Sequence, residues 1–105
     1  MTEKRKPTYD LEAIRTAFST PGSLTMTTSA LRSATALGFG RQEIVETIRS
    51  IRSSHFYKSM TSNDDRHIWQ DVYHVPTRAG VLYVKFTVGA LTEFVLLSFK
   101  EKYDA

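Results

Sequence analysis

Apolar residues recur every three to four positions in the first half of the chain, which is the spacing of amphipathic helices. The pattern predicts a first helix over Tyr9–Phe18, and the pair Pro21-Gly22 breaks the chain after it. A second helix can be capped by Thr28 or Ser29. The apolar faces of the second and third helices are formed by Ala30, Leu31, Ala34 and Leu37, and by Ile44, Val45, Ile48 and Ile51.

Beyond Ser53-Ser54 the apolar period changes from helical spacing to alternation, which is typical of half-buried strands. Four segments are predicted to be strands: His55–Thr61, Ile68–Val75, Val81–Val88 and Phe94–Lys100. Leu24–Thr27 is a candidate for an additional brief strand. The connections between the four strands are short (Ser62–Arg66, Pro76–Gly80 and a turn around Ala90–Glu93), which favours an antiparallel meander. Helices first and strands last predict an α+β fold, with N-terminal helices packed on one face of a mainly antiparallel sheet.

The alternation also predicts which residues of the last two strands face each other. One face of each strand is apolar: Leu82, Val84, Phe86 and Val88 in the first, and Val95, Leu97 and Phe99 in the second. A four-residue turn over 90–93 that aligns these faces pairs Val88 with Val95 and Phe86 with Leu97. The same register pairs Tyr83 with Lys100. Their Cβ atoms would then be about 5 Å apart, close enough to bind one ligand.

The strand over Ile68–Val75 can be oriented in two ways. If Trp69, Tyr73 and Val75 are buried, then Gln70, Val72 and His74 share a polar face with Tyr83 and Lys100. This orientation turns Asp71 inward, where its carboxylate needs hydrogen-bond donors. The opposite orientation buries Ile68 and Val72 but also Gln70 and His74. The first is favoured, and it predicts that Trp69 anchors its strand against the helices.

Composition narrows the class of protein. A chain of 105 residues is long enough for one domain, predicted here over 1–105 with a basic, partly disordered arm at 1–8. The net charge of +3 and the pI near 9.3 favour polyanionic partners. The absence of cysteine excludes disulfides and thiolate metal sites. No secretory signal or membrane-length apolar run is recognised in the sequence, so we expect a cytoplasmic protein that does not bind membranes.

Several kinds of chemical site are disfavoured. His55, His67 and His74 lack a regular metal-ligand spacing, and Asp64-Asp65 lacks further carboxylate ligands, so no metal ligands are assigned. No glycine-rich loop leads into a Lys-Ser or Lys-Thr pair, which argues against nucleotide triphosphate binding. No cofactor is therefore expected.

The predicted polar sheet face carries Gln70, His74, Tyr83, Lys85, Ser98 and Lys100. Alternation alone favours the interpretation that this is simply the solvated side of the sheet. RNA cleavage is the alternative. It requires few groups from the enzyme, because the substrate's own 2′-hydroxyl is the nucleophile. The enzyme must remove its proton, protonate the leaving 5′-oxygen and stabilise the phosphorane. Lysines and a tyrosine can do this without metal, and clustered cations lower one another's pKa.

Four segments carry a resemblance to a known family. Phe56-Tyr57-Lys58-Ser59-Met60-Thr61 followed by Ile68-Trp69-Gln70-Asp71-Val72-Tyr73 resembles the central signature of the motility quorum-sensing regulator toxins. Thr28–Leu31 and the segment Val95–Lys102, with its Ser-Phe-Lys, also resemble that family. The likeness extends from about Leu11 to Lys102.

The resemblance implies a RelE-like ribonuclease fold and metal-independent cleavage of mRNA, with a preference for GCU-type sites. The family's functional positions correspond to Lys58, Gln70, Tyr83 and Lys100, and all four residue types are present. His74, Arg78 and Lys85 are further candidates for binding RNA. The resemblance also implies a cognate antitoxin with a zinc-binding domain and a helix-turn-helix DNA-binding domain. Zinc would then belong to the partner.

Two other functions remain open at this point. A non-catalytic RNA-binding module could block translation with the same basic face. A transcriptional regulator is suggested by the family's name, but the helices on either side of Gly38-Phe39-Gly40 show no clear recognition-helix pattern.

Overall fold

Helices cover one face of a five-stranded antiparallel sheet in a computed structural model that describes residues 2–89 and 93–104. The strands lie in chain order, β1 to β5. The elements are β1 Glu3–Lys4, α1 Leu11–Ala17, α2 Thr28–Ala36, α3 Arg41–Arg49, β2 Phe56–Thr61, β3 Trp69–Thr77, β4 Gly80–Val88 and β5 Phe94–Glu101. Short 3-10 turns occur at Pro21–Ser23, Ser53–His55 and Lys102–Asp104. The predicted α+β class is confirmed, and the arrangement is consistent with a RelE-like toxin.

Side-chain caps mark the starts of α1 and α2, and a glycine follows the end of α2. The Asp10 side chain caps α1 by accepting from the Glu12 N–H. Thr27 caps α2, one residue before the predicted caps, and accepts from the Ala30 N–H. Gly38 follows the end of α2 and has a φ of +83°, a conformation that costs glycine little. None of the helices in the described residues is long and apolar enough to span a membrane.

The core lies between the helices and the sheet. It contains Ile14, Phe18, Ala30, Ala34, Ile44, Val45, Ile48 and Ile51 from the helical half, and Tyr73, Val75, Leu82, Val84, Phe86, Leu96 and Phe99 from the strands. The predicted anchoring role of Trp69 is wrong, because this residue begins β3 beside the core. Its half-buried ring is covered by Lys4, whose Nζ lies 4.2 Å from the ring centroid.

The N-terminal segment joins the sheet, whereas the sequence predicted a partly disordered arm at 1–8. Glu3 and Lys4 pair with β2 as an edge strand. Further along, the backbone N–H groups of Thr8 and Tyr9 donate to the carboxylate of Asp71, at 3.0 and 2.9 Å. Asp71 is fully buried, so these are the donors that its predicted inward orientation requires.

The predicted β4–β5 register is correct at one end and wrong at the other. Tyr83 pairs with Lys100 as expected, but beyond Lys85 a β-bulge shifts the register by one residue. Phe86 therefore pairs with Leu96 rather than Leu97, and Val88 pairs with Phe94 rather than Val95. The predicted turn over 90–93 lies outside the described residues except for Glu93.

The bulge also changes which residues of β5 are buried. Leu96 and Phe99 are fully buried, whereas Val95 and Leu97, which were expected in the core, are only partly buried. Leu96 is held from the other side by Thr25–Thr27, because its N–H donates to Thr25 and its carbonyl accepts from Thr27. The candidate strand at Leu24–Thr27 is thus an isolated parallel bridge between Met26 and Leu96.

Candidate active site

The sheet face away from the helices brings together most of the polar residues predicted from the sequence. His74 pairs across strands with Tyr83, and Tyr83 pairs with Lys100. Alternation along the strands places the other members on the same side. We call this surface the polar face; it comprises Lys58, Gln70, His74, Tyr83, Lys85, Ser98 and Lys100. The favoured orientation of β3 is therefore confirmed, and the four family positions share one surface.

A bulge in β2 adds an aromatic residue to the polar face. The register between β2 and β3 shifts between Phe56 and Lys58, so Tyr57 is the extra residue. Its ring stacks on His74, with the centroids 4.2 Å apart and the planes 22° from parallel. Sequence reasoning did not select Tyr57 for the face, because strict alternation would have directed it away from Lys58.

The residues around His74 form an open depression of about 290 Å³. Its lining consists of Tyr57, Lys58, His74, Tyr83 and Lys102. Lys102 was also missed, because it follows β5 in the terminal 3-10 turn, where strand alternation no longer applies. Lys100 lies beside this depression, with its Nζ 5.6 Å from the Tyr83 ring centroid. The surface thus combines a cationic rim with aromatic rings, a combination suited to single-stranded nucleic acid.

An apolar residue lies within this charged surface. Val72 is fully buried, and its cross-strand partners are Lys58 and Lys85. It lies outside the main core cluster, so it provides a small apolar floor on the polar face. Burial lowers the pKa of Lys85 from its ordinary value of 10.5, and the nearby charges of Lys100 and Lys58 lower it further.

Lys58 differs from Lys85 because it has a counter-ion. Its Nζ donates to Oε2 of Glu3 at 2.7 Å, and this hydrogen bond raises the pKa of Lys58. The predicted lowering of pKa by clustered cations therefore holds for Lys85 and is wrong for Lys58. The reason is the N-terminal strand, which the sequence did not predict.

Two other groups of the depression also have shifted pKa values. Burial lowers the pKa of His74 from 6.5, with further lowering by Lys102 and Lys58. Burial raises the pKa of Tyr83, and Lys58 opposes that change. Neutral imidazole and neutral phenol are thus the favoured forms at pH 7.

Most side chains of the polar face have unused hydrogen-bonding groups. Within the described residues, none of Gln70, His74, Tyr83, Lys85 and Lys100 makes a side-chain hydrogen bond. In the same part of the chain no buried side-chain nitrogen or oxygen lacks a partner, so the unpaired atoms of these five residues are accessible to solvent. They can therefore bind a ligand without breaking internal contacts.

Arg78 is not brought to the polar face. Its Nη2 donates to the Gly38 carbonyl at 3.0 Å and to Glu43 at 2.7 Å. The guanidinium also lies 4.6 Å from the centroid of the Phe39 ring. These contacts place Arg78 on the helical side, away from the polar face, and its RNA contact stays a prediction.

The described residues contain no group of three His, Asp or Glu side chains placed to hold a metal ion. The donors on the polar face are instead amines, a phenol, an imidazole and an amide. This donor set can bind a phosphate and transfer protons through its own groups.

Comparison with known proteins gives two matches. The family model described as "Motility quorum-sensing regulator, toxin of MqsA" matches residues 6–101. The curated protein "mRNA interferase toxin MqsR" of Escherichia coli (strain K12) is 38% identical over 100 residues, which cover 95% of this chain and 99% of the relative. The family match therefore includes strands β2 to β5 and with them the whole polar face.

Proposed function

The chain belongs to the motility quorum-sensing regulator toxin family, and from this premise we propose that it is an mRNA endoribonuclease, the toxin of a toxin–antitoxin system, whose active site is the polar face. The observation that carries the proposal is the set of accessible, internally unpaired groups on one surface: Gln70, Tyr83 and Lys100. Lys58 adds a fourth family position on the neighbouring strand. The whole chain is proposed to act as one toxin domain.

Each of the four residues has a role that its chemistry allows. Lys58 and Lys100 provide positive charge for the phosphorane, which carries more negative charge than the substrate. Tyr83 is a protonated hydroxyl at neutral pH and can transfer or donate a proton. Gln70 cannot titrate, so it orients the phosphate or a base. This chemistry needs no metal, because the 2′-hydroxyl of the substrate is the nucleophile.

Lys85 and His74 extend the surface that contacts RNA. Both lie on the polar face, one strand apart, beside Tyr83. Lys85 supplies a further charge for the backbone, and His74 with Tyr57 supplies aromatic surface. The family resemblance supports a preference for GCU-type sites.

The proposed partner is a cognate antitoxin that keeps the toxin inactive in the cytoplasm. The family model names the toxin's partner as MqsA. By resemblance, the partner of this chain has a zinc-binding domain that contacts the toxin and a helix-turn-helix domain that binds DNA. The purified complex is thus expected to contain zinc, bound by the partner and not by this chain.

One experiment separates this function from its alternatives. The purified chain is incubated with a defined mRNA in EDTA, and the 5′ ends are mapped by primer extension. New discrete ends support the endoribonuclease, a mobility shift without new ends supports an RNA-binding inhibitor, and selective binding of one DNA duplex supports a transcriptional regulator. Cleavage that is lost in EDTA and restored by magnesium, with RNA folding controlled, would contradict metal independence.

A further inference from the structure

His74 has the position of a reacting group rather than of a peripheral contact. It lines the depression between Tyr57, which stacks on it, and Tyr83, whose ring centroid lies 6.1 Å from that of the imidazole. Stacking covers a face of the ring and leaves its edge open. Neither ring nitrogen has a hydrogen-bond partner within the described residues, and both are therefore exposed to solvent.

The other groups of the depression are poorly suited to accept a proton at neutral pH. Glu3 keeps Lys58 protonated by raising its pKa, and burial keeps Tyr83 protonated in the same way. Lys85, which lies elsewhere on the polar face, has a lowered pKa, but the ordinary value from which it is lowered is 10.5. The ordinary pKa of His74 is 6.5, and in this structure it is lowered as well. The basic form is thus the main form of His74 at pH 7.

We propose that His74 is the general base of RNA cleavage, and that its unprotonated ring nitrogen accepts the proton of the attacking 2′-hydroxyl. The inference rests on the proposed ribonuclease function and adds a reacting residue to it. The 2′-oxygen bonds to phosphorus as its proton moves to His74, and the bond from phosphorus to the 5′-oxygen breaks. The departing oxygen takes a proton from Tyr83 or Lys58, both of which are protonated. The products are a 2′,3′-cyclic phosphate and a 5′-hydroxyl, and imidazolium then loses its proton to solvent.

Burial and the charges around His74 together set the direction of its pH dependence. The titratable or charged groups near it are Tyr57 and Lys58 on β2, Tyr83 and Lys85 on β4, Lys100 on β5, Lys102 in the terminal turn and Glu3 on β1. Burial disfavours imidazolium in the free protein, and the cations that predominate around His74 disfavour it further. Cleavage at limiting RNA should therefore be constant near neutrality and fall as pH drops through the lowered pKa of His74.

The test measures single-turnover cleavage of a short RNA by the full chain between pH 4.5 and 8.5. Wild type is compared with His74→Ala, His74→Gln and the matched control His67→Ala, in a loop outside the sheet. The expected result is a rate lowered about 10²–10⁴-fold in both His74 variants, with loss of the acidic limb. Added imidazole should restore part of the rate to His74→Ala, and the restored rate should follow the titration of free imidazole.

Binding and folding controls make the result specific. Affinity for an RNA with a 2′-deoxy substitution at the cleaved nucleotide should change less than the rate, and melting temperatures should match wild type. A His74 variant that is slower but keeps the acidic limb, or that imidazole does not rescue, would show a positioning role and overturn the inference. If wild type cleaves RNA and both His74 variants cleave it at the same rate, the inference is also overturned, but the proposed function is not. Absence of cleavage by wild type at every pH would overturn both.

Discussion

Glu3 and Lys58 form an ion pair between the edge strand and the polar face, with 2.7 Å between Oε2 and Nζ. The lysine side chain is mostly buried, with 18% of its surface exposed, whereas Glu3 is more open at 46%. A substrate phosphate that approaches Lys58 must therefore share it with a carboxylate or displace that carboxylate. Glu3 both keeps Lys58 charged and offsets its charge before RNA binds.

Replacing Glu3 by Gln is expected to strengthen RNA binding. The change removes a negative charge from the phosphate path, so affinity for a 2′-deoxy-blocked RNA should rise roughly two- to fivefold at low salt. Fluorescence anisotropy measures the effect, which should decrease as salt increases. Glu46→Gln, on the exposed side of α3, is the matched control for net charge. Unchanged or weaker binding by Glu3→Gln would show that the carboxylate does not compete with phosphate.

Replacing Tyr83 by Phe should slow cleavage without unfolding the chain. The ring keeps its packing beside His74, and only the hydroxyl is lost. A missing proton-transfer group typically costs about 10²–10⁴-fold in rate. Single-turnover kinetics measure the loss, and thermal melting verifies the fold. A wild-type rate in this variant would remove Tyr83 from the chemistry.

Replacing Lys100 by Ala should reduce both cleavage and RNA affinity. The lysine makes no hydrogen bond within the described residues, so its charge is available to a phosphate. Loss of one phosphate contact should lower the slope of log affinity against log salt by about 0.7 for a single strand. Arg32→Ala, at an exposed position of α2, removes the same charge elsewhere and should leave the slope unchanged. Equal slopes in the two variants would contradict a direct contact.

Replacing Asp71 by Asn is expected to destabilise the fold. The carboxylate accepts hydrogen bonds from the N–H groups of Thr8 and Tyr9, and an amide nitrogen in its place would leave a buried donor facing donors. The free energy of unfolding should fall by about 1–3 kcal/mol. Urea denaturation measures it, with Asp64→Asn in the exposed loop as control. Equal stability of both variants would mean that the N-terminal segment does not depend on this carboxylate.

Replacing Trp69 by Ala should be milder than the substitution of a core aromatic residue. A fully buried ring costs about 3–5 kcal/mol when it is truncated, but Trp69 is half-buried under Lys4. The expected loss in free energy of unfolding is smaller than that of Phe86→Ala, which removes a fully buried ring. A loss equal to that of Phe86→Ala would show that Trp69 stabilises the fold as a core residue does.

Local periodicity explains what the sequence could predict. The buried face of α3 and the pairing of Tyr83 with Lys100 follow from side-chain spacing within single elements. Alternation along a strand predicts which side of the sheet each residue faces, provided that no bulge inserts an extra residue into the strand. The β5 bulge breaks this condition between Tyr83 and the turn, so the pairing of Tyr83 with Lys100 was predicted correctly and the pairings nearer the turn were not.

The bulges and the edge strand depend on partners that are distant in the chain. Tyr57 reaches the polar face because β2 contains an extra residue against β3, and Leu96 is buried because β5 has its own register shift. No local pattern marks either position. Glu3 belongs to a two-residue strand, which is too short to have a periodicity, so the counter-ion of Lys58 could not be foreseen.

The contacts of the N-terminal segment also bear on the order in which the chain folds. The β3–β4 hairpin turns within a few residues, whereas Glu3 and Lys58 are 55 positions apart and Thr8 and Asp71 are 63 apart. Closing a longer loop costs more conformational entropy, so the meander should form first and the N-terminal segment should dock last. By the same argument that segment should be among the first to open, with early hydrogen exchange at the Thr8 and Tyr9 amides. Lys58 therefore acquires its counter-ion at the end of folding and loses it at the first step of unfolding.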